Sequence, residues 1–198
     1  MNEKLDSGLV EQFPKLFKNR YASMRETCMC WGFEHGDGWY NIIHALCANI
    51  QHHIDWSRKQ RANALRYNRA VKQSSENNLT PLVKYFAGNS TPNDWHVKNA
   101  EEVFQDVKKQ TRTVPQACSQ VVASQVKEKF GTLRFYYSGG DNKVDGMVRM
   151  AESMSAVTCE ECGVPGVSRH GGWIRTLCDE HAKADGRYLP AEEDKATV

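Results

Sequence analysis

The chain has 198 residues, 40% of them hydrophobic and 25% charged, which is typical of one globular domain or one domain plus a small module. A formal net charge of only +2 excludes a uniformly basic nucleic-acid-binding protein, so any such role must depend on local clusters of charge. No apolar run approaches the length of a membrane span, and the first residues lack the pattern of a signal peptide. The sequence therefore predicts no membrane partner.

The N-terminal stretch, residues 1–12, is polar, and we expect it to be mobile until Val10. From Phe13 onward large apolar side chains recur at helical spacing, and Pro14 suits the first turn of a helix. The sequence therefore predicts a short first helix that begins near Phe13.

Residues 23–40 combine cysteines, tryptophans and glycines with charged side chains. Aromatic rings flanked by glycines and a charged group are typical of a small-molecule pocket. Under this interpretation Arg25 and either Trp31 or Trp39 face a ligand. The alternative is a core-lining loop in which the two cysteines of the stretch are buried, as free thiols often are.

A long amphipathic helix is predicted next, capped by Asp37 or Gly38 and extending through Arg69. Its second half and the residues after it, residues 58–72, are rich in Arg and Lys, with Asp55 the one acid nearby. Such a run is either a solvated helix end or a face that contacts phosphate groups.

Two shorter helices follow. Thr80 and Pro81 are typical of a helix start, and Gly88 is typical of its end. Asp94 is predicted to cap the next amphipathic helix.

A β-hairpin is predicted over residues 121–138, where the apolar period changes to two and the chain turns at Phe130. One face of the returning strand carries Arg134 and Tyr136, and Lys129 lies beside the turn. Guanidinium, ammonium and phenol groups together favour an anionic ligand with a flat ring system. These three residues are therefore candidate ligand-binding residues.

Two pairs of metal-binding residues lie near the C-terminal end, each with two residues between its members. This spacing lets both members of a pair reach one ion from a tight turn, and two pairs complete a tetrahedron. Thiolate ligands favour Zn²⁺ over Mg²⁺ or Ca²⁺. Because protein fills all four positions, the predicted site is structural rather than catalytic. The predicted ligands of this single zinc ion are Cys159, Cys162, Cys178 and His181.

The expected fold class is α+β, with a mostly helical body and a β-hairpin. The predicted domains are residues 1–157 for this body, residues 158–182 for a zinc-ribbon-like or zinc-knuckle module, and residues 183–198 for a flexible tail. Seven cysteines, three of them in the zinc site, imply a reducing compartment, so we expect a cytoplasmic protein.

Residues 25–34 (RETCMCWGFE), residues 126–137 (VKEKFGTLRFYY) and the segment from Cys159 to His181 share a family resemblance. They resemble a family of uncharacterised tailed-bacteriophage and prophage proteins with a C-terminal CxxC…CxxH zinc module. The resemblance implies a phage accessory protein in the cytoplasm of a bacterial host. It brings no established activity or ligand.

The sequence favours binding over catalysis. It contains no phosphate-binding loop, no His-Glu-x-x-His, no nucleophile elbow and no deaminase zinc motif. A nucleophile pair of Cys28 and His35 is the catalytic alternative.

The first binding hypothesis is the capture of a small anionic, nucleotide-type signal of host immunity, which would make the protein a counter-defence factor. Its candidate ligand-binding residues are Arg25, Trp31, Trp39, Lys129, Arg134 and Tyr136.

The second hypothesis is nucleic-acid binding by the zinc module together with residues 58–72. In the module, a small basic and aromatic loop would supply the contacts through Arg169, His170, Trp173 and Arg175. The third hypothesis is inhibition of a host protein through the same surfaces. A homo-oligomer is compatible with all three.

Overall fold

A computed structural model describes residues 1–106 and 111–187, and this part of the chain is mainly helical with some β-structure. The helices are α1 (Glu3–Gln12), α2 (Tyr40–Gln73), α3 (Thr80–Ala87), α4 (Asp94–Asp106), α5 (Asn142–Ser155) and α6 (Asp179–Ala184). The prediction of a mixed, mostly helical fold is confirmed at this level. Among the described helices, none is both long enough and apolar enough to cross a membrane.

The strands form two small sheets. The first contains β1 (Phe33–Glu34), β2 (Val122–Lys129) and β3 (Thr132–Ser138), in that order. Strand β1 runs parallel to β2, and β2 and β3 form the predicted antiparallel hairpin. The second sheet pairs β4 (Val167–Arg169) with β5 (Arg175–Leu177) in antiparallel fashion.

The chain divides into two compact units. The first comprises residues 1–54 and the chain from residue 119 onward, and the second comprises residues 55–118. The predicted boundary at residue 157 was placed from the spacing of the predicted metal ligands. The two units are instead defined by which residues pack together. Of the predicted tail, residues 188–198 lie outside the described residues.

Helix α5 anchors the hairpin of the first unit along the outer edge of β3. The hydroxyl of Ser155 accepts the Leu133 N–H at 2.8 Å, and the Glu152 carboxylate accepts the Phe135 N–H at 3.1 Å. Leu133 and Phe135 are buried on the inner face of the strand. These bonds satisfy edge N–H groups that would otherwise invite another strand, and they leave the outer face of the hairpin uncovered by α5.

The second unit packs the end of α2 against α3 and α4. Its buried side chains are Tyr67, Ala70, Val71, Leu82 and Ala100. The segment of residues 111–118, which comes after α4 in the sequence, is bonded to α2. The Asn68 side-chain amide accepts the Arg112 N–H at 2.7 Å and donates to the Arg112 carbonyl at 2.8 Å.

The first helix differs from its prediction. Helix α1 covers part of the polar stretch, and residues from Phe13 to Tyr21 form turns instead of the predicted helix. The side chain of Asn2 caps α1 by accepting the Leu5 N–H at 3.0 Å. The prediction was wrong because the helix needs few apolar residues once this cap satisfies its first N–H groups.

Candidate functional site

Four side chains form a compact group at the C-terminal end of the first unit. Cys159 and Cys162 come from the turn after α5, Cys178 immediately precedes α6, and His181 lies in its first turn. Their ligand atoms all lie within 4.8 Å of one another. The group can therefore hold one metal ion at the four predicted positions.

The distances between the ligand atoms fit tetrahedral coordination. An ion with metal–sulfur bonds of about 2.3 Å lies inside a tetrahedron with edges of about 3.8 Å. The Sγ atoms of Cys162 and Cys178 are 3.9 Å apart. The Nδ1 atom of His181 lies 3.6 Å from Cys159 Sγ and 3.2 Å from Cys178 Sγ, so Nδ1 is the atom that this histidine offers.

The local backbone prepares the thiols for a cation. Burial raises the pKa of the Cys159 thiol, but backbone N–H groups, the first of them that of Cys178, outweigh burial and lower this pKa to about 7. Burial and the neighbouring thiols raise the pKa of Cys162 to about 11. The Cys159 thiolate thus forms readily, and its negative charge disfavours ionisation of the neighbouring Cys162 thiol. A bound cation would balance the charge of both thiolates.

Short-range hydrogen bonds place the two ligand pairs. The Cys159 N–H donates to the Val164 carbonyl at 2.8 Å, and the Gly163 N–H donates to the Cys159 carbonyl at 2.9 Å. These bonds close the turn that presents the first pair. In the second pair, Cys178 Sγ accepts the His181 N–H at 3.5 Å and so caps α6.

The glycine-rich stretch before α2 packs directly on the first ligand turn. The Gly38 N–H donates to the Glu160 carbonyl at 2.7 Å, and the indole N–H of Trp39 donates to the Thr158 carbonyl at 2.9 Å. Trp39 is fully buried. Its predicted place on a ligand pocket is therefore wrong, because its ring fills the core and its one polar atom is bonded to the metal module.

Ion pairs hold the loop of the metal module. Glu160 accepts the Gly36 N–H at 3.0 Å and pairs with Arg175 at 3.3 Å. Burial raises the pKa of Glu160, although the Gly36 N–H and Arg175 act to lower it. Arg175 also pairs with Glu161, and Arg169 pairs with a carboxylate of α6. Both loop arginines thus pair with carboxylates of the protein. The second hypothesis, in contrast, expects them to contact a nucleic acid.

A groove of about 710 Å³ lies between the tip of the β2–β3 hairpin and the loop that precedes β5. It is lined by Glu34, Lys127, Glu128, Lys129, Phe130, Gly171, Gly172, Trp173 and Ile174. Two of its aromatic side chains are largely exposed, Phe130 by 69% and Trp173 by 61%. Because burial does not hold these rings in place, their apolar surface remains available to a ligand.

The carboxylates of the groove are already engaged by protein donors. Glu34 accepts the Gln125 amide at 3.0 Å. Glu128 accepts the Trp173 indole N–H at 2.8 Å and the Gly131 N–H at 2.6 Å. The Gly131 carbonyl in turn accepts the Thr176 hydroxyl at 2.6 Å, so the hairpin turn is tied to the metal module.

The ammonium groups of the two groove lysines, in contrast, lie over aromatic rings. The Lys127 ammonium lies 5.8 Å from the centre of the Tyr136 ring, and the Lys129 ammonium lies 5.4 Å from that of Phe130. Within the described residues neither lysine forms an ion pair. Each ammonium group can therefore contact an anion, while the two carboxylates bring the formal charge of the groove lining to zero.

Phe130 adopts a backbone conformation that its side chain disfavours. It is the one non-glycine residue with positive φ, at 55°, among those described, and it precedes Gly131 at φ 76° in the two-residue turn. Asn or Gly is preferred at such a position, and a bulky side chain there is strained. From the sequence, Phe130 is predicted only as a turn residue. A bulky residue before the turn glycine is the sequence signal that makes Phe130 a candidate ligand-binding residue.

Three predicted ligand residues lie on the outer face of the hairpin beside this groove. Arg134 pairs in register with Lys127, Tyr136 pairs with Gln125, and Lys129 ends β2. Lys129 also lines the groove.

The other predicted ligand residues do not line the groove. Trp31 is 56% exposed and lines a different pocket of about 330 Å³, together with Arg20 and residues of α1. Arg25 is exposed in the turn that precedes Cys28. The six residues proposed for one ligand thus divide among an outer sheet face, a second pocket, an exposed turn and the core.

The predicted catalytic pair offers little for chemistry. Cys28 is exposed, whereas His35 is buried with its Nδ1 2.7 Å from the Gly36 carbonyl. Burial lowers the pKa of His35 to about 4, which makes it a weak base.

Comparison with protein-family models, curated proteins and solved structures finds no match for this chain. The evidence for its function therefore comes from its own residues.

Proposed function

We propose that the protein binds single-stranded nucleic acid in the groove between the hairpin tip and the metal-module loop. In this proposal bases stack on Phe130 and Trp173, and phosphates contact Lys127 and Lys129. The observation that carries it is the exposed Phe130 ring in a backbone conformation that disfavours it. An aromatic residue kept at some cost to the turn is explained by a ligand that stacks on it.

The form of the groove favours a strand over an enclosed small molecule. Small-molecule sites bury most of their ligand, whereas both aromatic rings here remain more than half exposed. Proteins that bind single strands combine such rings with cations that follow the backbone, and each stacked base contributes about 1–3 kcal/mol. Arg134 and Tyr136, on the neighbouring sheet face, extend the same chemistry beyond the groove.

We further propose that the metal is one zinc ion with a structural role. Three thiolates and one imidazole at tetrahedral spacing favour zinc over the hard cations, and they leave no coordination position for a substrate. The ion would hold the strands on either side of the loop that carries Trp173. It thereby stabilises one wall of the groove.

Two tryptophans of equal exposure provide a matched test of strand binding. Trp173 and Trp95 are both 61% exposed, but Trp95 lies in α4, outside the groove. We expect Trp173→Ala to weaken binding of a fluorescent single-stranded oligonucleotide at least about tenfold, and Trp95→Ala to leave it unchanged. Fluorescence anisotropy measures both. Equal effects of the two substitutions, or no binding by the unaltered protein, would refute the proposal.

Capture of a small nucleotide is the second candidate, because a groove of about 710 Å³ lies within the size range of small-molecule sites. This candidate predicts thermal stabilisation by single members of a panel of cyclic and ADP-ribose-type nucleotides. No shift across the panel would exclude it. The phage accessory role, the bacterial cytoplasm as location and the binding of a host protein stay predictions from the sequence.

A further inference from the structure

The second unit concentrates the positive charge of the molecule. Residues 55–118 contain eleven Lys and Arg against six Asp and Glu, a formal charge of +5, although the whole chain carries only +2. The net charge of the whole chain therefore does not reveal this local concentration of positive charge.

A groove of about 400 Å³ within this unit gathers part of that charge. Its lining includes three exposed cations, Arg66, Arg69 and Lys84, and contains no carboxylate. The remaining polar side chains that line it are the amides of Asn63, Gln73 and Asn89 and the phenol of Tyr85. Amide N–H groups and cations together are donors for an anion with several oxygen atoms.

The three cations are available. Within the described residues, none of Arg66, Arg69 and Lys84 forms an ion pair. Their presence could still be explained by the helix dipoles, because the C-terminal ends of α2 and α3 both lie near this groove. Each helix end carries about half a negative charge, however, so three cations exceed that requirement by about two charges.

The wall behind the cations is held rigidly. The Tyr85 hydroxyl donates to Asn63 Oδ1 at 3.1 Å and accepts from Arg112 Nη1 at 3.1 Å. The Arg112 guanidinium lies 3.8 Å from the centre of the Tyr67 ring. Arg112, from the segment after α4, is thus bonded to the tyrosines of this wall, whereas Arg66 and Arg69 of α2 are exposed.

We propose that this groove is a second nucleic-acid contact, which binds phosphodiester groups through Arg66, Arg69 and Lys84 and reads no bases. Its lining lacks an exposed aromatic ring on which a base could stack, in contrast to the groove of the first unit. The inference takes its ligand class from the proposed function, but it concerns different residues in a different unit.

The test uses the whole protein and a single strand of abasic phosphodiester units, which offers phosphates without bases. Anisotropy titrations at several salt concentrations give the slope of log affinity against log salt. Arg66→Gln combined with Arg69→Gln should lower the slope by about 1.4, or about 0.7 for each lost phosphate contact. The control, Lys4→Gln combined with Lys98→Gln, removes the same charge from exposed positions outside the groove and should leave the slope unchanged.

Two results would overturn the inference: absence of binding to the abasic strand, or equal slopes for the paired variants. Melting curves of both variants check that the fold is retained. The outcome is distinct from that of the proposed function. A protein that binds normal and abasic strands equally well, and loses the salt slope only in the arginine variant, supports this groove while it refutes base stacking on Phe130 and Trp173.

Discussion

His35 lies in the core beside Phe33 and Trp39, whose ring centres are 6.1 and 5.7 Å from its own. Its Nδ1 contacts the Gly36 carbonyl, and its Nε2 has no hydrogen-bond partner among the described residues. Burial is the main cause that lowers its pKa to about 4, against the usual 6.5. The neutral imidazole is therefore the form that the fold accepts.

This shift predicts a loss of stability in acid. Above pH 6.5 the imidazole is neutral in both the folded and the unfolded protein, so its protonation does not change the free energy of unfolding. As the pH falls from 6.5 towards 4, the unfolded chain takes up a proton that the folded chain refuses, so the free energy of unfolding declines by about 3 kcal/mol. Urea denaturation of the wild type and of His35→Gln across this range isolates the effect from metal release, which both proteins share. A constant difference between the two would contradict the assignment.

Gly38 meets the metal module so closely that a side chain has no room. An added Cβ would lie 2.2 Å from the Cys159 carbonyl oxygen and 2.5 Å from the Gly163 nitrogen, both backbone atoms. Gly38→Ala should therefore lower the free energy of unfolding by about 3 kcal/mol. The matched control is Gly146→Ala in α5, where nothing lies within 4 Å and the helix gains about 0.5–1 kcal/mol. Similar urea midpoints for the two variants would refute the close contact.

Sequence reasoning at the residue scale succeeded where the relevant partners are local. The four side chains that the structure brings together as a possible metal site were predicted because the two members of each pair are only three residues apart. Trp39 was misjudged because its partner, the Thr158 carbonyl, is 119 residues away in the sequence. Composition around Trp39 describes a ligand pocket and a packed core equally well, and only the distant contact distinguishes them.

At the scale of elements, the metal module can be tested through its ligands. Cys178 is a proposed metal ligand and caps α6, whereas Cys28 is an exposed thiol outside the group of four. We expect about one zinc per chain in the purified wild type and in Cys28→Ser, and a loss of zinc in Cys178→Ser. Metal analysis by mass spectrometry measures the content. A folded wild type without metal, or equal zinc in both variants, would contradict the site.

The elements that sequence foresaw are those with a clear period or a local cap. Helix α2 has a long apolar stripe, and α3 ends before Gly88 as predicted, although its N-cap is Leu79 rather than the predicted Thr80. The hairpin was also evident from its period of two. Strand β1 was not foreseen, because its two residues acquire β-structure only by pairing with β2, which lies more than eighty residues further along the chain.

At the scale of the whole molecule, two units divide the charge between them. The second unit carries more positive charge than the complete chain, so the remainder is acidic. This charge asymmetry can be read from the sequence. That the chain from residue 119 onward belongs to the same unit as residues 1–54 cannot. Such long-range closure depends on contacts like those of Gly38 and Trp39 with the metal module, which no local pattern encodes.

The central claim is that Phe130 serves a ligand rather than the fold, and Phe130→Asn tests it most directly. Asn suits φ 55°, so the variant should be at least as stable as the wild type, with a gain of about 0.5–1 kcal/mol in urea denaturation. The same samples should bind a single-stranded oligonucleotide at least about tenfold more weakly in anisotropy titrations. Unchanged affinity in the stable variant would contradict the claim, as would a loss of stability that accounts for the weaker binding.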